Sequence, residues 1–99
     1  MQLYGLELDE QGRCLHYHQS NDVVALLCKK CQRYYACFKC HNQLEHHLFS
    51  PIKKTHPHPV MCGNCRCLLN YSDYQQEKCA HCNHPFNPKC ALHTDIYFE

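Results

Sequence analysis

The sequence predicts a small α+β domain that is stabilised by bound metal instead of by a large hydrophobic core. The chain has only 99 residues, and Leu, Ile, Val and Phe together make up 20 of them, which is close to the level at which a chain buries too little apolar surface. Cysteine and histidine are unusually frequent, with 11 and 10 residues. Short strand-like and helix-like segments alternate between clusters of these two residue types.

Bound metal explains the cysteines better than disulfides do. Their odd number excludes complete pairing within the chain, and histidine adds nothing to a disulfide framework. The start, "MQLYGLELDEQGR", lacks an apolar run preceded by positive charge, so we expect no signal peptide. No segment approaches the length of a transmembrane helix, so we expect no membrane partner. In a cytoplasmic chain, Cys-x-x-Cys spacing indicates a metal site, and mixed thiolate and imidazole ligands favour Zn²⁺.

The first half of the chain predicts a β-hairpin followed by one short helix. Residues 1–13 form an extended lead-in. Residues 23–27 are apolar and partly β-branched, which favours a strand, and "CKKC" then forms a tight turn. Residues 33–36 contain two adjacent tyrosines and form the returning strand. From Phe38, apolar residues recur at helical spacings without Gly or Pro, which predicts a helix of about ten residues.

A proline-rich linker separates two lobes of a single domain, which spans residues 1–99. The stretch "SPIKKTHPHPV" contains three prolines and cannot sustain a helix or a central strand. We assign the linker to residues 51–59, the first lobe to 14–50 and the second lobe to 60–99. Leucines and tyrosines at 68–74 predict a hairpin within the second lobe.

The second lobe contains the clearest metal-binding pattern. "CGNC" and "CAHC" are Cys-x-x-Cys pairs with thirteen residues between them, and each pair turns both sulfurs to one side. Two such knuckles facing each other predict a zinc-ribbon-like, all-cysteine site made of Cys62, Cys65, Cys79 and Cys82. Gly63 is expected to relax the first turn. The alternative, two redox dithiols, needs a βαβ context that the sequence lacks.

The first lobe offers eight ligand-type side chains, enough for two tetrahedral zinc sites. They come in four pairs: Cys14/His16, Cys28/Cys31, Cys37/Cys40 and His41/His47. A sequential split would place the neighbours Cys40 and His41 in one site, although adjacent side chains on a helix diverge by about 100°. We prefer an interleaved split, because it separates these neighbours. It groups Cys14, His16, Cys37 and Cys40 in one site, and Cys28, Cys31, His41 and His47 in the other.

The last histidine of the first lobe has two candidates. His46 and His47 lie five and six residues after His41, and neither offset aligns two side chains on one regular helix. The helix must therefore end or distort near Glu45 before the second histidine turns back.

The order of these motifs resembles the CHY-type zinc finger. "CLHYH", "CQRYYACFKCH", a later histidine, "CGNC" and "CAHC" follow one another from Cys14 to about Cys82. The resemblance implies three zinc ions and twelve ligands, among them Cys14, His16, Cys31, Cys37, Cys40, His41, His47, Cys62, Cys65, Cys79 and Cys82. The family often has two adjacent cysteines where this chain has Lys30-Cys31, so Cys28 would supply the remaining thiolate.

The resemblance is to the small standalone members of that family. Larger members resemble ubiquitin ligases, with a RING domain after the finger. The small members lack a RING domain and include microbial proteins and a mitochondrial intermembrane-space zinc protein. We expect a cytoplasmic location, with the intermembrane space as the alternative in a eukaryote.

Three ligand-type residues remain outside these twelve: Cys67, Cys90 and His93. The spacing Cys90-x-x-His93 suits a metal. This pair could join Cys67 and another histidine, such as His84, in a fourth zinc site, or it could replace one pair in the site that contains Cys14 and His16. The alternative is a buried thiol beside a structural histidine.

The ligand pattern also favours some classes of function over others. Catalytic zinc keeps an open position, whereas these ligands come in fours, so we expect no enzymatic activity. Nine thiolates and three Zn²⁺ ions lower the formal net charge from +1 to about −2, which disfavours a nucleic-acid partner. We therefore expect a structural zinc finger that acts as an interaction module for a protein partner. The alternative is a zinc-handling or thiol-redox protective protein, such as a zinc buffer or chaperone.

Overall fold

A five-stranded sheet forms the centre of the computed structural model, which describes residues 3–17, 19–87 and 94–99. Along the chain the elements are β1 (Leu3–Tyr4), β2 (Val24–Leu27), β3 (Tyr34–Tyr35), α1 (Phe38–Leu44), β4 (Val60–Cys62), β5 (Leu68–Leu69), α2 (Tyr71–Tyr74) and α3 (Thr94–Tyr97). The strands lie in the order β1-β3-β2-β4-β5. Strand β1 runs parallel to β3, and the other neighbours are antiparallel. The predicted α+β class is confirmed.

The predicted first hairpin is confirmed as the β2–β3 pair, with "CKKC" at its turn. Leu26 faces Tyr35 and Leu27 faces Tyr34 across the ladder. All four residues of β2 are buried, because β2 has strands on both edges and side chains packed on both faces. The hairpin therefore holds the first cysteine pair rigidly at one end of the central strand.

Strand β4 joins the second half of the chain to the first. It pairs with β2, and Ala25 faces Met61 in the middle of the ladder. The amide N–H of Leu27 donates to the carbonyl of Pro59 (3.0 Å), so the end of the proline-rich stretch is tied to the same sheet. Residues that are distant in sequence thus share one backbone framework, which positions both sets of ligands.

Helix α1 begins directly after Cys37, whose Sγ accepts the amide N–H of Cys40 (3.3 Å) and so caps the helix. It has seven residues, fewer than predicted, and ends at Leu44. Glu45 is extended, with φ −114° and ψ 164°, which confirms the predicted end of the helix near this residue. The chain can therefore turn back immediately after α1.

The predicted hairpin at 68–74 is wrong in its second arm. Leu68–Leu69 forms β5 and pairs with β4, but Tyr71–Tyr74 forms the helical turn α2. The side chain of Asn70 accepts the amide N–H of Asp73 (2.7 Å), and this N-cap favours the helix over a strand. The hairpin of the second half is therefore β4–β5, around "CGNC". None of the helices in the described ranges has the length and apolar character needed to cross a bilayer.

The main core lies around the central strands of the sheet. Val23, Ala25, Val60 and Met61 have no exposed surface. Aromatic side chains close this core on one side, and the ring of Phe98 contacts that of Tyr71 with 4.8 Å between centroids. Three cysteines, Cys14, Cys37 and Cys40, form a separate buried cluster. The protein therefore packs around sulfur as well as around hydrocarbon.

Candidate metal centres

Twelve Cys and His side chains meet in three groups of four within the described ranges. In each group, the four ligand atoms all lie within 4.8 Å of one another. We call these groups the first centre (Cys14, His16, Cys37, Cys40), the second centre (Cys28, Cys31, His41, His47) and the third centre (Cys62, Cys65, Cys79, Cys82). The grouping in the first lobe is the interleaved one, and the other histidine candidate, His46, is exposed to solvent.

The spacing of the sulfur atoms fits a tetrahedral metal ion. Bonds of about 2.3 Å to sulfur and about 2.0 Å to nitrogen place two sulfurs about 3.8 Å apart, and a sulfur and a nitrogen about 3.5 Å apart. The Sγ–Sγ distances are 3.6 Å for Cys14–Cys37, 3.8 Å for Cys62–Cys82 and 3.6 Å for Cys65–Cys79. A disulfide would bring two sulfurs to about 2.05 Å. The three groups therefore suit metal coordination and not covalent pairing.

The first centre joins the lead-in to helix α1. The Nδ1 atom of His16 lies 3.4 Å from the Sγ atoms of both Cys37 and Cys40. Its Nε2 atom lies 3.2 Å from the side-chain amide of Gln43, so Nδ1 is the nitrogen that faces the sulfurs. The amide N–H of Leu6 donates to the Sγ of Cys40 (3.4 Å). Such a bond favours a thiolate, which is the form that binds metal.

The thiol groups of the first centre differ in their pKa values. The Sγ–Sγ contact between Cys14 and Cys37 lowers the pKa of Cys14 and raises the pKa of Cys37. Both side chains are buried, so water cannot stabilise several thiolates together at this position. A divalent cation that replaces the thiol protons would offset two of the three thiolate charges.

The second centre has a histidine whose protonation is arranged for metal binding. His41 is fully buried, and burial lowers its pKa and favours the neutral imidazole. Its Nδ1 lies 3.0 Å from the Oδ1 of Asn42, which assigns the proton to Nδ1. Its Nε2 faces the Sγ of Cys31 at 3.6 Å with a lone pair available. Oδ1 of Asn42 also accepts the amide N–H of Phe49 (2.7 Å).

A tyrosine–glutamate pair fixes the point where His47 turns back toward the second centre. The hydroxyl of Tyr35 donates to the carboxylate of Glu45, and this bond lowers the pKa of Glu45. Arg33 lies 3.4 Å from the same carboxylate. The ring of Tyr35 also meets His41 edge to face, with 4.7 Å between centroids. Tyr35 thus packs directly against His41, and its bond to Glu45 orients the segment that holds His47.

The third centre consists of two cysteine knuckles with amide donors around their sulfurs. The Sγ of Cys79 accepts the amide N–H groups of His81 (3.3 Å) and Cys82 (3.4 Å). Burial opposes ionisation of Cys82, but hydrogen bonds from the side chain of Asn64 and the backbone of His84 outweigh it and lower the pKa of Cys82 to about 6. Cys82 therefore favours the thiolate near neutral pH, whereas burial raises the pKa of Cys79.

The sequence predicts that Gly63 relaxes the first turn, and in the structure its role is close packing. Its φ is not positive, but a Cβ at this position would lie 2.2 Å from the carbonyl oxygen of Gln11 and 2.7 Å from that of Val23. The amide N–H of Gly63 donates to this Val23 oxygen (2.6 Å). The first knuckle of the third centre is thereby pressed against the backbone beside β2.

Three of the four Cys-x-x-Cys pairs adopt the same local conformation, which the sequence pattern did not reveal; the fourth, Cys37–Cys40, lies at the start of helix α1. In each of the three, the residue after the second cysteine has a positive φ: Gln32 (56°), Arg66 (65°) and Asn83 (63°). In each, its amide N–H donates to the carbonyl of the first cysteine, at 2.7–2.9 Å. Of these three types only Asn commonly adopts this conformation, so residue type alone gave a weak signal.

Of the additional candidates, Cys67 lies outside these three groups. Cys67 is half-buried, and its carbonyl accepts the amide N–H of Cys62 (3.0 Å). Cys90 and His93 lie outside the described residues. His84 is the candidate fourth ligand of the additional site, and its Nδ1 lies 3.0 Å from the carbonyl oxygen of Pro85.

Comparison with known proteins identifies relatives along nearly the whole chain. No known protein-family profile matches the sequence. An uncharacterized protein of Schizosaccharomyces pombe is 47% identical over 100 residues, covering 98% of this chain and 88% of the relative. Helper of Tim protein 13 of Saccharomyces cerevisiae is 38% identical over 107 residues, covering 98% of this chain and 90% of the relative. The protein of the same name from Kluyveromyces lactis is 40% identical, covering 98% and 88%. This chain therefore belongs to the family of Helper of Tim protein 13.

Proposed function

We propose that this chain is a CHY-type zinc-finger protein that binds three Zn²⁺ ions and acts as a protein interaction module. The observation that supports this proposal is the meeting of twelve ligands in three groups of four at tetrahedral distances. Mixed thiolate and imidazole ligands prefer zinc over hard cations. Four protein ligands would fill the coordination sphere of each ion and leave no open position for a substrate. The proposed role is therefore not enzymatic.

We propose a Tim protein as the partner and the mitochondrial intermembrane space as the location. The support is the name Helper of Tim protein 13, which belongs to relatives that match 98% of this chain. The motif resemblance to a small intermembrane-space zinc protein points the same way. The sequence left this location open as the alternative to the cytoplasm, and a nucleic-acid partner remains disfavoured by the charge of the metal-loaded chain.

A second candidate function, zinc handling or thiol-redox protection, is favoured by the unequal exposure of the ligands. The cysteines of the first centre are buried, with at most 2% exposure. Cys65 and Cys82 of the third centre are only half-buried. An acceptor thiol or chelator could therefore approach the third centre more easily than the first.

Native mass spectrometry during a graded chelator titration tests the proposal, with circular dichroism recorded on the same samples. An interaction module should hold three zinc ions and lose its fold as they are removed, because the small core depends on them. A zinc donor should release one ion from the third centre while circular dichroism stays unchanged. A count below two ions in the untreated protein would refute the zinc-finger proposal.

A further inference from the structure

A pocket with two lysines lies between the turn at Cys28–Cys31 and the loop at residues 52–56. Its volume is about 280 Å³, and it is lined by Lys29, Gln32, Ile52, Lys53, Thr55 and His56. None of these residues belongs to a metal centre. The volume is near the lower end for ligand sites, so the pocket fits one or two side chains better than a large cofactor.

Backbone hydrogen bonds hold both walls of the pocket. The amide N–H of Lys29 donates to the carbonyl of Ser50 (3.0 Å), and Nε2 of Gln32 donates to the carbonyl of Lys29 (2.7 Å). On the opposite wall, the amide N–H of His56 donates to the carbonyl of Lys53 (3.0 Å) and closes a turn. The pocket is therefore formed before any ligand arrives, which lowers the entropic cost of binding.

The polar groups around the pocket are mainly hydrogen-bond donors. Lys29 and Lys53 line the pocket, and their side chains end in ammonium groups. Nδ1 of His56 accepts the amide N–H of His58 (3.0 Å), so Nε2 of His56 has the proton and can donate. Ile52 is 3% exposed and provides an apolar floor. Donors above an apolar floor suit a ligand with a short hydrocarbon stem and an anionic end.

A carboxylate of the protein itself already lies against Lys29, one of the residues that line this pocket. The two carboxylate oxygens of Glu99 lie 3.4 and 3.5 Å from Nζ of Lys29, and both side chains are nearly half-exposed. The backbone N–H of Glu99 donates to the carbonyl of Ile52 (2.9 Å), which keeps this carboxylate nearby. An exposed ion pair of this length is weak, so another carboxylate can replace it.

We propose that the pocket binds a glutamate or aspartate side chain from an acidic segment of a protein partner. The proposal rests on the interaction-module function and adds the chemistry of the segment that is recognised. A protein carboxylate is the favoured anion, because the carboxylate of Glu99 already pairs with Lys29 at 3.4 Å.

Fluorescence anisotropy of a labelled hexaglutamate peptide tests the proposal on the full, zinc-loaded chain at low salt. We expect hexaglutamate to bind and hexaglutamine not to bind. Lys53→Gln should weaken binding about fivefold, whereas Lys78→Gln, an equal charge change at an exposed residue outside the pocket, should change it less than about twofold. Glu99→Gln should strengthen binding about twofold by removing the internal competitor, and Glu10→Gln should not.

Three outcomes would overturn the pocket proposal. One is the absence of hexaglutamate binding. Another is equal weakening by the two lysine variants, which would show general charge attraction. The third is displacement of the peptide by inorganic phosphate or single-stranded DNA at lower concentrations than by unlabelled hexaglutamate. Zinc counts on the same samples separate the two proposals: three ions without peptide binding overturn the pocket alone, and fewer than two ions overturn the proposed function.

Discussion

Replacement of Asn42 by alanine should weaken ion binding at the second centre more than at the other two. Its Oδ1 fixes the tautomer of His41 at 3.0 Å and accepts the amide N–H of Phe49 at 2.7 Å. Loss of such an outer hydrogen bond to a metal-binding histidine typically lowers metal affinity about 10–100-fold. The Phe49 amide also loses its partner, which costs about 1 kcal/mol in a half-buried position. We therefore expect a loss of about 50-fold at the second centre.

The assay is a chelator titration of the Co²⁺-substituted protein, followed by visible absorption. The first, second and third centres offer three, two and four thiolates, so the intensities of their sulfur-to-cobalt charge-transfer bands differ and report each centre separately. Asn42→Asp is the matched control, because its carboxylate can still accept from His41 and Phe49 and should retain affinity. Chelator curves within twofold of the unmodified protein, or equal weakening of all three centres, would refute the tautomer argument.

Three further changes test other parts of the structure. Gly63→Ala should lower the stability of the zinc-loaded protein by about 3 kcal/mol in thermal unfolding, since the new Cβ would lie 2.2 Å from the carbonyl of Gln11; an unchanged midpoint would contradict the close packing. Cys67→Ser should leave three ions in native mass spectrometry, because Cys67 lies outside the three centres; a count lowered by one would assign it as a ligand. Gln32→Val should cost about 1–2 kcal/mol in chemical denaturation, because a β-branched residue is strained at φ 56°, whereas Gln32→Gly should be nearly neutral; equal effects would exclude backbone strain as the cause.

Local geometry made part of the candidate site predictable. Cys40 and His41 are adjacent on a helix, and this adjacency alone indicates two centres on different sides of α1. The offset between His41 and the later histidines required the helix to end near Glu45, and it does. In both cases the constraint acts over a few residues, where helix geometry alone decides which side chains can meet.

Long-range packing explains what the sequence left open. The pairing of β2 with β4 depends on residues more than thirty positions apart, and no local pattern specifies that register. The role of Asn42 depends on Phe49 arriving from the turn beyond α1. The helical turn α2 was assigned to a strand because tyrosines favour sheets, whereas the cap at Asn70 decided the outcome. Whether strand propensity or helix capping decides the local structure of such a segment therefore depends on the folded context.

Helix α1 belongs to two centres at once, and this should make ion loading cooperative. Seven residues are too few for a stable helix in isolation, so bound metal ions must order this segment. The first ion to bind Cys37 and Cys40 would order the helix and place His41 for the next ion. The second ion would then bind a segment that is already folded, and singly loaded molecules would be rare at equilibrium. Two ions would thus enter or leave this part of the protein nearly together, as one thermodynamic unit.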